Sequence, residues 1–326
     1  MKQLTILVPE GQNNLSSIVG SFKLFTRANE YWQSLGNQPL FKVSLAGTLK
    51  EVKLYDGLFA IYPQDIDSIG YSDLIIIPSI NKDYRNSIAR NQRLIDWIAR
   101  CHKQGSEIAS ICTGAFLLAA SGVIDNKDCS THWIAADDFR AMFPKVNAVP
   151  NKIITDEHGI YTNGGAYSFL NLILYLVGKF YNRQTAIYCS KVFQIDIERD
   201  SQSAFTIFSG QKKHGDNLIK EAQELIEHNL EEKITFEEMA ARLSVSRRNF
   251  DRRFIKATGN TPVEYLQRVK IEIAKRNFET SRKNINEVMY DAGYTDIKAF
   301  RTIFKKLTGL SPLEYRQKYN KEFPAR

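Results

Sequence analysis

Along the first two hundred residues, short β-branched runs alternate with amphipathic stretches. Residues 4–8, 41–45, 74–77, 108–111 and 160–162 predict strands, and residues 16–35, 87–103, 114–120, 134–142 and 166–180 predict helices. Strand and helix alternating at this spacing predict an α/β domain over residues 1–200, with a doubly wound, mostly parallel sheet. The run DLIIIPSI is apolar throughout, as a strand covered on both faces should be. Residues 197–216, IERDSQSAFTIFSGQKKHGD, lose both periodicities, so a domain boundary is expected there, with a linker over 201–216.

From residue 217 to 326 the pattern is helical, which adds an all-α domain, and it repeats. At an offset of 50, Glu237, Met239, Phe250, Phe254 and Lys256 recur as Glu287, Met289, Phe300, Phe304 and Lys306. Thr258-Gly259, Pro262 and Glu264-Tyr265 recur as Thr308-Gly309, Pro312 and Glu314-Tyr315. One supersecondary unit therefore occurs twice.

In the first copy Thr235 and Glu238 form a capping-box pattern ahead of a helix whose apolar face is Met239, Ala240 and Leu243. Ser246 then caps a second helix with Phe250 and Phe254 inward, and Gly259 ends it. This is the helix-turn-helix plan. The open face of the second helix carries Arg247, Arg248, Asp251, Arg252 and Arg253, a guanidinium-rich surface of the kind that fits the major groove. In the second copy Thr295 is the expected cap, and Ile297, Lys298, Arg301 and Thr302 face outward. Residues 262–279 between the copies read as one rigid helix with Val263, Leu266, Val269, Ile273 and Ala274 on its apolar side. Such a spacer would set the two units on successive major-groove faces, about 34 Å apart.

Charge supports the same assignment. Residues 211–326 hold 24 Lys and Arg against 17 Asp and Glu, while residues 1–210 hold 20 against 19. The excess sits in the helical third, which points to a polyanionic partner.

The segments LSVSRRNFDRRFIKATGNTPVEYLQ and AGYTDIKAFRTIFKKLTGLSPLEYR resemble the two helix-turn-helix units of the AraC/XylS family of bacterial transcription regulators, over roughly residues 217–320. The resemblance implies promoter DNA as partner. It also implies base contacts from Arg248, Asp251 and Arg252 in the first unit and from Ile297, Lys298 and Arg301 in the second. Asp251 could accept from cytosine N4 or pair with a neighbouring Arg.

The stretch SEIASICTGAFLLAASG places Cys112 between a strand and a helix, the plan of a nucleophile elbow. Together with the strand order and the later Thr131-His132-Trp133, it resembles the DJ-1/PfpI branch of the class I glutamine amidotransferase-like fold, which is flavodoxin-like with three α/β/α layers. That domain ahead of an AraC-type region resembles the GlxA-like regulators, and this resemblance covers essentially the whole chain. Enzymes of the branch often carry a His directly after the Cys and an acid after the first strand. Here Thr113 stands in the first place and Glu10 comes earlier than usual, so no complete Cys-His-acid set is read and no catalytic residue is assigned.

Three readings of Cys112 stay open: an inert packed thiol, a pocket wall, or a nucleophile or redox sensor. In the pocket reading its company is Glu10, Asn13, Thr113, His132 and Asn163, because ligands of open α/β sheets sit at the strands' carboxyl ends. The Gly164-Gly165 pair either lets backbone approach an anion or makes a tight turn.

No GxGxxG, P-loop, CxxC pair or zinc-spaced His cluster occurs, so no cofactor or metal is expected. MKQLTILVPEG reads as a strand and not as a signal peptide, and no 18-residue apolar stretch exists. A cytoplasmic homodimeric regulator controlled by an unidentified small molecule is the expectation. The alternatives are a DJ-1/PfpI-type cysteine enzyme (hydratase, amidase or glyoxalase) carrying a DNA module, or a first domain that is a dimerisation scaffold alone.

Overall fold

Strand β1 (Lys2–Leu7) shows why the sheet is buried on both faces. Leu4 and Ile6 pack into one core cluster and Leu7 into a second on the opposite face. The computed structural model in which this is seen describes residues 1–197, 201–228 and 235–320, and divides into two units, Met1–Gln202 and Ser203–Arg326. Within the boundary stretch, residues 198–200 lie outside the described residues, as do 229–234 and 321–326 of the helical domain.

Unit 1 continues with α1 (Leu15–Ser34), β2 (Phe41–Gly47), β3 (Val52–Leu54), β4 (Phe59–Ile61), β5 (Gln64–Asp65), β6 (Leu74–Ile77), α2 (Tyr84–Arg90) and α3 (Gln92–Lys103). It is completed by β7 (Glu107–Ile111), α4 (Ala115–Ala120), β8 (Asp128–Cys129), α5 (Ala136–Met142), β9 (Asn147–Ala148), β10 (Ile154–Asp156), β11 (Ile160–Asn163), α6 (Phe169–Phe180) and α7 (Arg183–Phe193). The main sheet has the order β10-β11-β7-β6-β1-β2-β5, parallel except for β10. Leu74 and Ile76 of β6 join the cluster covered by α1 and α6, whereas Ile75 and Ile77 join the cluster covered by α3 and α4. This is the doubly wound, mostly parallel sheet expected from the alternation, in the three-layer flavodoxin-like form that the resemblance implies.

The single helix expected over 87–103 is two helices, α2 and α3. They part at Asn91, whose side chain accepts the Glu10 backbone N–H at 2.7 Å and donates to the Glu10 carbonyl at 3.1 Å. Helix α6 starts at Phe169 and not at 166, because Gly165 turns the chain with φ +85°. The α7 helix and the short strands β3, β4, β5, β8, β9 and β10 carry too few periodic positions to be read from the pattern.

Unit 2 comprises α8 (Asn217–His228), α9 (Phe236–Arg242), α10 (Arg247–Thr258), α11 (Pro262–Thr280), α12 (Ile285–Asp291), α13 (Ile297–Thr308) and α14 (Pro312–Tyr319). Two apolar clusters hold it, one around Phe250, Phe254 and Tyr265, the other around Phe300, Phe304 and Tyr315, so the sequence repeat is a structural repeat. Capping boxes open α9 (Thr235/Glu238), α11 (Thr261/Glu264), α12 (Asn284/Glu287) and α14 (Ser311/Glu314). Gly259 and Gly309 close α10 and α13 in left-handed conformations that suit a residue without Cβ.

Two expectations are corrected. The cap of α13 is Asp296, which accepts from the N–H groups of Lys298 (2.7 Å) and Ala299 (3.2 Å), and not Thr295. The buried side of α11 runs through Tyr265, Ile271, Ala274 and Phe278, while Val263 is exposed. Among the described residues no helix is long and apolar enough to cross a membrane.

Candidate functional site

In unit 2 the helix-turn-helix geometry sorts the basic side chains of α10 into two groups. Arg247 is engaged: its Nε donates to both carboxylate oxygens of Asp251 at 2.9 Å, and its NH1 donates to Glu237 on α9 at 2.8 Å. Arg253 is engaged as well, bound to both carboxylate oxygens of Asp216 at 2.8 and 2.6 Å. That guanidinium holds the Asp216 carboxyl below its ordinary range. Arg248 and Arg252 are exposed, and Arg252 leans on Asn249 through one 3.0 Å hydrogen bond. In the second copy Lys298, Arg301 and Thr302 are exposed on α13, and Ile297 is half-buried against the Phe300 core. The Thr302 hydroxyl donates back to the Lys298 carbonyl at 2.8 Å.

In unit 1 the loops after β1, β6, β7 and β11 meet at the carboxyl edge of the sheet. The parallel neighbours of β1 are β2 on one side and β6 on the other, so the chain order reverses between β1 and β6 and ligands of such folds sit there. Asn13, after β1, pairs with Ile80, after β6, and the Thr113 hydroxyl accepts from the Ile80 N–H at 3.1 Å and shares a 2.8 Å bond with Ser79. Asn13 is buried, gives its Nδ2 to the Pro9 carbonyl at 3.0 Å, and among the described residues has no partner for its Oδ1.

Cys112 sits on the sharp turn with φ +54°, a left-handed value that costs a residue with a side chain on the order of 1 kcal/mol. The turn is held from both ends: the Cys112 N–H donates to Asn163 Oδ1 at 3.3 Å, and the Thr131 hydroxyl donates to the Cys112 carbonyl at 3.0 Å. Burial pushes the Cys112 thiol up. Hydrogen bonds from Ser79, from Thr113 and from the His132 backbone only partly oppose it.

The imidazole of His132 is occupied elsewhere. Its Nδ1 accepts the Ile134 N–H at 3.1 Å, and burial lowers its pKa, which favours the neutral ring. Glu10 Oε1 accepts from Thr48 at 2.6 Å. The structure thus brings Cys112, Thr113, Asn13 and Asn163 to one edge, while the Glu10 carboxylate and the His132 ring face other partners. Among the described residues no His, Cys, Asp and Glu cluster could hold a metal ion.

The Gly164-Gly165 pair is explained by packing. The Gly164 N–H donates to Ile153, and a Cβ there would come 2.7 Å from both Gln202 Cδ and Ser130 Oγ. Gln202, Ser79 and Thr131 are the participants that the sequence pattern missed. Gln202 belongs to a stretch without periodicity, so nothing local marks it.

A model of the DJ-1/PfpI family matches residues 41–178, and a helix-turn-helix domain model matches residues 239–318. The chain is 28% identical over 219 residues to the HTH-type transcriptional regulator GbdR of Pseudomonas aeruginosa, a match covering 66% of this chain and 59% of GbdR. It therefore spans less than two thirds of that relative's length. It is 26% identical over 223 residues to the HTH-type transcriptional regulator GlxA of Rhizobium meliloti, covering 68% of each. The crystal structure of Drosophila melanogaster DJ-1beta superposes with a TM-score of 0.50 and 16% identity, over 60% of this chain and 98% of that one, which is a likeness of fold. With both models matched in this order, the chain carries a DJ-1/PfpI domain ahead of a helix-turn-helix domain, and it is similar over about two thirds of its length to HTH-type transcriptional regulators.

Proposed function

We propose that the chain is a cytoplasmic, sequence-specific regulator of transcription: unit 2 binds promoter DNA, and unit 1 takes a small effector at the carboxyl edge of its sheet and pairs the chain as a homodimer. One observation carries the DNA reading. In each of two repeated units the second helix leaves basic side chains open, Arg248 and Arg252 on α10, Lys298 and Arg301 on α13, and cores and caps hold the helix behind them. Arg reads guanine edges bidentately and Lys and Arg hold phosphates, so this surface suits a major groove. An effector would act by favouring one of two arrangements, which requires different affinities for them.

Recovery of genomic fragments by the purified chain at physiological salt tests this. Enrichment of a few discrete sites supports regulation, and purely diffuse, salt-sensitive retention removes it. The strained turn at Cys112 favours a second reading, a cysteine enzyme of the DJ-1/PfpI type, and fast alkylation of Cys112 below neutral pH would favour it over the first.

A further inference from the structure

Residues 203–211, ahead of α8, run along unit 2 and are bonded to both of its repeats. At the second repeat the Phe205 ring meets Tyr319 edge-on with centroids 6.5 Å apart, Lys318 stands over the same Phe205 ring at 4.6 Å, and the Tyr319 hydroxyl donates to the Ala204 carbonyl at 3.0 Å. Next along the segment, Lys275 donates to the Thr206 carbonyl and Glu272 accepts the Phe208 N–H at 3.1 Å. At the first repeat Phe208 packs edge-on against Tyr265 at 5.2 Å, and the Gly210 carbonyl accepts from the Tyr265 hydroxyl at 2.9 Å and from Gln223 Nε2 at 2.7 Å. Gln211 Oε1 then accepts from Asn260 Nδ2 at 2.6 Å, at the joint between α10 and α11.

Phe205 and Phe208 are three positions apart, a reach of at most about 11 Å, yet they serve different cores. Tyr319, the partner of Phe205, packs against the cluster of Phe300 and Phe304, whereas Phe208 packs against the cluster of Phe250 and Phe254. Helix α11 also joins those cores, with Tyr265, Leu266 and Val269 in the first and Ile271, Ala274 and Phe278 in the second. A lone helix fixes the distance along its axis but curves readily, because the hydrogen bonds on its solvent side lengthen slightly. A second connection fastened to the same two cores opposes that curvature.

We infer that residues 203–211 are a splint that sets the spacing of the two helix-turn-helix units, so that α10 and α13 together accept DNA sites of one spacing only. Phe205, Gln211 and Tyr319 are then positioning residues: they belong to neither α10 nor α13 and act through the placement of those two helices. The inference rests on the DNA reading given above.

The test is selection from random-sequence duplexes of about 30 base pairs, roughly three helical turns, by the full chain at physiological salt. Arg252→Ala and Arg301→Ala assign the enriched sequence blocks to α10 and α13, because each should blur one block only. The parent chain is expected to enrich the two blocks at a single separation of about 10 base pairs. Phe205→Ala combined with Tyr319→Phe loosens the second-repeat end of the segment, and should enrich the same two blocks spread over several separations. If that variant does not fold, Gln211→Ala loosens the other end and should spread them likewise. A segment that merely stabilises the domain would lower the unfolding midpoint of the variant and leave the separation single, and that result overturns the inference. Enrichment of one block alone by the parent chain overturns it too. Enrichment of no sequence at all would instead remove the DNA reading, and the splint with it.

Discussion

Asp251 receives the Arg247 Nε on both carboxylate oxygens at 2.9 Å, four residues along the same helix, while the other end of that guanidinium reaches Glu237 on α9. The pair therefore joins the two helices of the first helix-turn-helix unit, and Arg248 and Arg252 remain exposed. We expect Arg252→Ala and Arg248→Ala to weaken specific DNA binding by about 1–3 kcal/mol each with an unchanged unfolding midpoint. Arg247→Ala should instead cost roughly 0.5–1 kcal/mol of stability, a small figure because both partners are about a third exposed. Anisotropy titrations beside thermal melts decide the matter. Loss of affinity in Arg247→Ala without loss of stability would reverse the assignment.

The second unit should contribute mostly through charge. Lys298 is exposed on the first turn of α13, where a phosphate contact is the simplest role. Lys298→Ala is then expected to weaken binding to specific and unrelated DNA alike, and to lower the slope of log K against log salt by about 1. Selective loss on the specific site alone would show that Lys298 reads a base.

Much of this was legible in the sequence, for physical reasons that differ by region. The core strands stood out because β6 is buried on both faces and reads as a continuous apolar run. The helical repeat stood out because caps, paired phenylalanines and closing glycines recur at one offset. Exposed and helix-joining arginines could not be separated by spacing, since Arg247 and Arg248 are adjacent and only the positions of Glu237 and Asp251 distinguish them. The strand-edge site was half legible. Cys112 and Thr113 lie on a turn that the pattern marks, but the partners of Glu10 and His132 depend on Thr48 and on the local turn at Ile134. Gln202 was invisible because its role depends on carbonyls up to 71 residues away.

Buried thiols give the chain a definite alkaline behaviour. Burial pushes the Cys112 thiol up, Cys129 up to about 12 and Cys189 up to about 11, against an ordinary value of 9.0. A pKa raised in the folded state stabilises the fold fully below the unfolded value. That contribution is lost as pH rises through the window from about 9 toward the folded values. Urea titrations from pH 8 to 10.5 should show a declining stability whose slope is shallower in Cys129→Ala than in the parent chain. Iodoacetamide should likewise modify Cys112 slowly at pH 7, and a rapid reaction there contradicts the buried-thiol account.

Glu272 and Lys275 form the most buried ion pair among those described, with side chains 11% and 6% exposed and Nζ 2.7 Å from Oε2. Around them the chain ahead of α8 is fastened to α11: Lys275 donates to the Thr206 carbonyl and Glu272 accepts the Phe208 N–H at 3.1 Å. Removing one partner strands a charge away from water, whereas removing both does not. Lys275→Met is therefore expected to destabilise unit 2 by about 3–5 kcal/mol, and Glu272→Leu combined with Lys275→Met should restore most of that loss. Denaturant melts followed by far-ultraviolet circular dichroism give the two values, and proteolysis near residues 206–210 should quicken in both variants, since each has lost bonds to that segment. If the single substitution costs under about 1 kcal/mol, the pair does not fasten this segment, because a stranded buried charge could not be that cheap.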